Sequence, residues 1–270
     1  MVSLLQSFEK QLQVMQMRGI NGKPYITCDQ YIDIDKFKAL ESKIILGIAK
    51  AGPVKCHFSD DILDDADKAR TIKQTIRKYV IALRQQGMLD DNDIEELQQL
   101  GDWRKQQWWL HLRLPLRNPS WSVVLRNSVN YAEKNDEEAC ITHDDIKYFP
   151  ELESYIYNDL PFQSVGRIVI FLQDQDSATV THRDIVMGQD PKELHRNEFL
   201  YLQCRQDKQF FIIDEVTKEK YYTQGHSIFF NEIDYHGADP VQRMTWSVRV
   251  DGVFTPEFRK LITGSEDSMY

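Results

Sequence analysis

The sequence predicts an α+β chain, with a mainly helical N-terminal part packed on a β core. Three observations carry that expectation. Apolar residues keep a helical period through the first hundred residues, short strand-like runs crowd the chain after about residue 160, and no flexible linker or low-complexity tract separates the two regions. The division falls at 1–105 and 106–270, with both parts expected to form one compact unit.

Leu4, Leu5, Phe8, Leu12 and Met15 make the first helical stripe, which ends before Asn21-Gly22. Phe37, Leu40, Ile44, Ile45 and Ile48 make the second, closed by Ala51-Gly52-Pro53. Ile72, Ile76, Tyr79, Val80 and Leu83 make the third, with Gly87 as its C-terminal cap, and a short acidic helix follows over 93–100. These stripes read as core-facing helix faces. From Trp108 the texture changes: WWLHLRLPLR and WSVVLRNSV read as strands, with Pro115 and Asn118-Pro119 as punctuation. Residues 143–160 return to helical spacing, interrupted at Pro150. Strands are then expected at 166–173, 178–181, 198–204, 209–214, 220–223, 227–230 and 244–254. Short strands at that density make a sandwich or small barrel.

The 270 residues, 41% hydrophobic and 28% charged, suffice for a substantial core. A formal net charge of −9 argues against a nucleic-acid backbone or an anionic membrane as main partner, because both are repelled by the average field. Cys28, Cys56, Cys140 and Cys204 are scattered without a CxxC, the pattern of reduced thiols. The amphipathic start lacks the apolar run of a signal peptide, and nowhere do about 18 apolar residues run together. A cytoplasmic, soluble protein is expected. GxGxxG, GxxxxGK[ST], GxSxG and HExxH are all absent, so nucleotide-binding, esterase and zincin readings lack support.

The chemistry-bearing candidate is the segment ATVTHRDIVMG. His182 and Asp184 stand two residues apart on an extended segment, so both point to the same side. His236, in NEIDYHGADP, is far enough along the chain to arrive from another strand. Two imidazoles and one carboxylate on one octahedral face form the facial triad of non-haem Fe(II) oxygenases, with the other positions open. A competing set, His143, Asp145 and His195, has suitable spacing but the wrong context. CITHDDIKYF reads as a helix start with Thr142 as N-cap, and on a helix i and i+2 diverge by about 200°.

Residues from about 160 to 258 resemble the catalytic core of the Fe(II)/2-oxoglutarate-dependent oxygenases. The resemblance is carried by THRD, HRNEFLYL, GHSIFFNEIDYHGAD and the Arg-bearing MTWSVRVDGVF, in that order. The rhythm is similar to the aspartyl/asparaginyl and free-proline hydroxylase branch; the first 150 residues match no signature. The resemblance implies a double-stranded β-helix of the jelly-roll, cupin-like type, with His182, Asp184 and His236 as iron ligands. It also implies a basic residue beyond the far His that anchors the distal carboxylate of 2-oxoglutarate. Arg249, Arg243 and Arg196 qualify; Arg249 is favoured, because Arg243 falls in the connecting loop. Arg243, Ser247 and Arg249 share one strand parity and so one face. Guanidinium suits the role because it grips a carboxylate bidentately while staying charged.

The implied cofactors are Fe(II), 2-oxoglutarate and dioxygen, with 2-oxoglutarate decarboxylated to succinate and a substrate C–H bond oxidised. Asp184 fills the position that the family's halogenases leave for chloride, so hydroxylation, desaturation or ring closure is expected instead. The expected partner is a small, amino-acid-like molecule. A peptide or protein side chain remains the alternative, as does a β-sandwich or cupin-like module without 2-oxoglutarate. Tyr131, Tyr201 and Tyr235 could orient ligands, Arg167 could meet an acidic substrate or a neighbouring acid, and Trp103, Trp108 and Trp109 read as core packing.

Overall fold

Strand pairing in the C-terminal half is nested, and that nesting defines the architecture. The computed structural model describes residues 17–51, 55–56, 120–173, 178–184, 197–214 and 216–265. In chain order the elements are β1 (Tyr25–Thr27), α1 (Ile34–Ala39), α2 (Glu41–Ala51), β2 (Lys55–Cys56), β3 (Ser120–Ser128), β4 (Cys140–Thr142), α3 (Pro150–Asp159), β5 (Phe162–Gln173), β6 (Thr179–His182), β7 (Glu198–Leu202), β8 (Phe210–Ile213), β9 (Lys220–Tyr222), β10 (Ser227–Phe230), β11 (Tyr235–Ala238), β12 (Thr245–Phe254) and α4 (Pro256–Thr263). Two 3₁₀ turns lie at Tyr131–Glu133 and Asp144–Tyr148.

From β5 onward the first strand pairs with the last, β5 with β12, then β6 with β11, β7 with β10 and β8 with β9, all antiparallel. The folded-over ribbon splits into two sheets. The large one runs β1-β10-β7-β12-β5-β3-β2 with β4 on β3, and the small one runs β6-β11-β8-β9. Two facing sheets built from one coiled hairpin are a jelly roll, and such closure protects strand edges.

The alternation along β12 shows how the layers are filled. Trp246, Val248 and Val250 join the hydrophobic core with Phe37, Ile44, Ile45 and Ile48 of the helices, and the Phe37 ring lies 6.4 Å from Trp246. Ser247, Arg249 and Asp251 point the other way, between the sheets, because successive side chains leave opposite faces. Helices therefore cover the outer face of the large sheet, and polar chemistry collects inside the roll. Among the described residues no helix is long and apolar enough to cross a membrane.

The second helical stripe forms two helices, with a break at Leu40. Asp33 caps the first by accepting from the Lys36 N–H at 2.9 Å. Pro150 starts α3 instead of interrupting a helix, since a proline at the first turn lacks only an N–H that would be unpaired anyway. Thr142 is not a helix cap: it ends β4, and its hydroxyl accepts from Arg126 Nη1 at 3.0 Å, while His143 takes the cap position and makes no capping hydrogen bond through its side chain. The first and third stripes, the 93–100 helix, the WWLHLRLPLR strand, Trp103, Trp108, Trp109 and the 105/106 division lie outside the described residues.

Candidate metal centre

β6 and β11 pair so that His182 and His236 sit directly opposite each other, with ring centroids 4.4 Å apart. β6 ends at His182, and Asp184 follows on a segment whose backbone is held by an Asp184 N–H to Glu232 carbonyl bond of 2.9 Å. That bond turns Asp184 Oδ1 back toward the rings, 3.6 Å from His182 Nε2 and 3.9 Å from His236 Nε2. One ligand atom from each of the three lies within 4.8 Å of the others. A donor set of two imidazoles and one carboxylate at such spacing fits a ferrous ion with open positions.

His236 is prepared for ligation. Its Nδ1 lies 2.9 Å from the Asp234 carbonyl, which can only accept, so the proton sits on Nδ1 and Nε2 carries the lone pair. Burial pushes its pKa down to about 4, against the opposing pull of Asp184, so the ring is neutral at neutral pH. The Asp234 carboxylate accepts the backbone N–H groups of Arg18 and Gly19 at 2.7 and 2.8 Å, which fixes the turn before β11. Burial pushes the Asp184 carboxyl up, but the charges of His236, Arg249 and Lys134 outweigh it and hold it well below the usual carboxylate range.

The triad borders a cavity of about 410 Å³, lined also by Phe171, Arg183, Tyr201, Lys208, Phe210 and Phe230. Lys208, in the loop before β8, is only 7% exposed, and its ammonium donates to Ser247 Oγ at 3.2 Å. Ser247 in turn donates to Tyr201 Oη at 2.6 Å. Among the described residues no carboxylate pairs with Lys208. A buried cation facing hydroxyls in a cavity is the environment that an anionic ligand completes.

The arginines depart from expectation. Arg249 borders the cavity, but its guanidinium is engaged by three carboxylates. Nη1 donates to Asp184 Oδ2 at 2.7 Å, Nε donates to Asp251 Oδ1 at 2.9 Å, and Nη2 pairs with Glu232. A fork already bound to three acids has no bidentate face left for 2-oxoglutarate. Arg243 is a surface residue paired with Asp207 at 2.7 Å, and Arg196 and His195 lie outside the described residues. Ser247 does face the cavity network. Arg167 pairs with Asp251 at 2.8 Å under burial, so a neighbouring acid is its partner. His143 is exposed at the start of a 3₁₀ turn, and the one group of potential metal ligands found among the described residues does not include it. Arg183 lies 4.8 Å over the Tyr235 ring at the cavity edge.

Lys208, Glu232, Asp251 and Lys134 were not singled out from sequence. Asp251 was findable: the parity that turns Arg249 inward also turns Asp251 inward, two residues on. Lys208 sits in RQDKQ, which reads as an ordinary polar turn, so nothing local marked it.

No protein-family model matches the chain, and no curated protein matches it. Among solved structures, the chain is similar to a Pseudomonas putida prolyl-4-hydroxylase at 11% identity, covering 77% of this chain and 97% of that one, with a TM-score of 0.31. An oxidoreductase of the 2OG-Fe(II) oxygenase family from Burkholderia pseudomallei matches at 10% identity, covering 74% and 95%, with a TM-score of 0.33. An RmlC-like cupin protein from Desulfovibrio desulfuricans matches at 13% identity over 32% of this chain and 73% of that one, with a TM-score of 0.23. At TM-scores below 0.5 these likenesses carry no weight for function.

Proposed function

We propose that this chain is an Fe(II)- and 2-oxoglutarate-dependent oxygenase that oxidises a C–H bond of a small, amino-acid-like molecule. The observation that carries the reading is one cavity bordered by both the His182, Asp184, His236 group and the buried Lys208. A metal-binding cupin-like module accounts for the first but has no use for the second. When bound, ferrous iron and 2-oxoglutarate would let dioxygen act as the oxidant, one oxygen atom going into succinate as 2-oxoglutarate loses carbon dioxide and the other serving to oxidise the substrate C–H bond.

In this reading His182, Asp184 and His236 hold the ion and leave its remaining positions facing the cavity. Lys208 replaces Arg249 as the group that receives the distal carboxylate, with Ser247 and Tyr201 hydroxyls completing its hydrogen bonds. Phe171, Phe210 and Phe230 exclude water around that carboxylate, which strengthens each charged contact. The cavity sits toward the small end of ligand pockets, which run from roughly 300 to 1,000 Å³, and that favours a free small molecule over a protein side chain. Arg183, which lines the cavity, would meet the second substrate.

The testing experiment is succinate release. With Fe(II), ascorbate and 2-oxoglutarate, the protein should release succinate faster than its His182→Ala variant, and a panel of free amino acids and short peptides should raise that rate selectively. Equal release by folded wild-type and variant proteins under every substrate rejects the assignment.

A further inference from the structure

Among the described residues, a buried cluster of charges lies behind the candidate metal site and meets it at Asp184. Arg167, Arg249 and Lys134 alternate there with Asp251, Glu232 and Asp184, three cations against three anions. Arg167 Nε donates to Asp251 Oδ2 at 2.8 Å, and Lys134 Nζ donates to both Glu232 oxygens at 2.8 Å. Arg249 joins the two pairs and alone reaches forward, through the 2.7 Å bond to Asp184 Oδ2. All of these side chains except Asp184 are at least 95% buried. Tyr131 is shared as well, with Lys134 Nζ 3.9 Å and the Arg167 guanidinium carbon 4.9 Å from its ring.

We infer that Arg249 is a positioning residue that holds Asp184 by one oxygen, so that the carboxylate binds a metal ion through the other oxygen only. The inference rests on the metal reading proposed above. A carboxylate that chelates must bring both oxygens to one ion. Asp184 presents Oδ1 to the imidazoles while Oδ2 is bonded to Arg249, so chelation would require breaking that bond. Arg249 cannot follow the carboxylate, because its other nitrogens are held by Asp251 and Glu232, and these are held by Arg167 and Lys134. Glu232 fixes both ends of the arrangement, since its backbone carbonyl also accepts the Asp184 N–H. The planar fork is what allows one cation to meet three acids in fixed directions, and lysine lacks it. An ion held this way would keep three positions for exogenous ligands, where a chelating Asp184 would leave two.

The test uses Mn(II), a redox-quiet probe, on the full-length protein, read by water-proton relaxation and by a binding titration. Wild type should bind Mn(II) with about three exchangeable waters on an octahedral ion. Arg249→Lys keeps the charge but loses the fork, so Asp184 is free to chelate and inner-sphere relaxation should fall by about a third. Mn(II) affinity need not weaken, and that distinguishes positioning from simple damage. A folded Arg249→Lys protein with unchanged relaxation overturns the inference. If Arg249→Lys does not fold, Glu232→Gln loosens the same clamp and should lower relaxation in the same direction; unchanged relaxation there overturns it equally. Wild type that binds no Mn(II), or binds it as well after His182→Ala, overturns the metal reading itself and the inference with it.

Discussion

Lys208 and Arg249 are two buried cations on one cavity with opposite circumstances, and substitutions should separate them. Lys208 has hydroxyl partners and no acid among the described residues, whereas Arg249 has three acids. Removing the Lys208 ammonium takes away one charge-assisted hydrogen bond to a ligand, worth about 1.5–3 kcal/mol. Lys208→Met should therefore raise the 2-oxoglutarate dissociation constant about 10- to 100-fold by calorimetry, with no loss of thermal stability. Unchanged affinity would rule Lys208 out as the anchor. Arg249→Leu leaves three carboxylates, Asp184, Glu232 and Asp251, facing only two cations, Arg167 and Lys134. Breaking a buried ion pair typically costs about 3–5 kcal/mol, and urea unfolding should show a loss of that order. At this scale the meeting of His182, Asp184 and His236 was legible from His-x-Asp and a distant His, but not its cause: β6 ends at His182, and the Asp184 N–H bond to the Glu232 carbonyl turns the carboxylate toward the rings. The engagement of Arg249 was not legible, because two of the acids that hold its guanidinium arrive from 17 and 65 residues away.

Among elements, the close packing of β5 against the turn at 131–135 sets the charged network in place. Gly166 permits it: a Cβ there would overlap the Lys134 carbonyl oxygen and lie 2.9 Å from the Asn135 backbone, which a flexible side chain cannot relieve. The Arg167 N–H donates to that same Lys134 carbonyl at 2.8 Å. Gly166→Ala should displace the turn, loosen the Lys134–Glu232 pair and destabilise by about 1–3 kcal/mol, measured as a shift in the urea midpoint. A neutral Gly166→Ala would mean that the turn is free to move. The short strands explain what sequence could not supply. β11 is YHGA, four residues with a glycine inside a run of acids, and its strand state comes from partners β6 and β8 on either side. By contrast α4 was legible and was overlooked: Thr255 caps it by accepting from Phe258 N–H, Pro256 opens it and Gly264 closes it at φ 79°.

For the whole molecule, a crowd of short strands after residue 160 announced a β core, but the nested pairing of β5 with β12 down to β8 with β9 has no local signature. It is a property of the closed roll, and only the resemblance pointed to it. Closure also makes stability depend on charges held inside. Burial pushes the Asp251 carboxyl up, yet Arg167 and Arg249 outweigh it and its pKa is lowered. A lowered folded pKa gives stability that is present above the unfolded value, about 3.9, and is lost as pH falls through the folded one. Stability against thermal unfolding should therefore fall progressively below about pH 4. Asp251→Asn should be less stable at neutral pH and show a shallower acid dependence. Parallel acid profiles would show that Asp251 does not carry the effect.

In the proposed function, the triad and Lys208 serve one ion and one 2-oxoglutarate in the same cavity. Anaerobic mixing of the protein with Fe(II) and 2-oxoglutarate, followed by visible absorption, tests that directly. A charge-transfer band that requires both additions, disappears in His182→Ala and needs more 2-oxoglutarate in Lys208→Met is the expected result. Folded wild-type protein that gives no band with both present would mean that the cavity does not bind a ferrous ion and 2-oxoglutarate together.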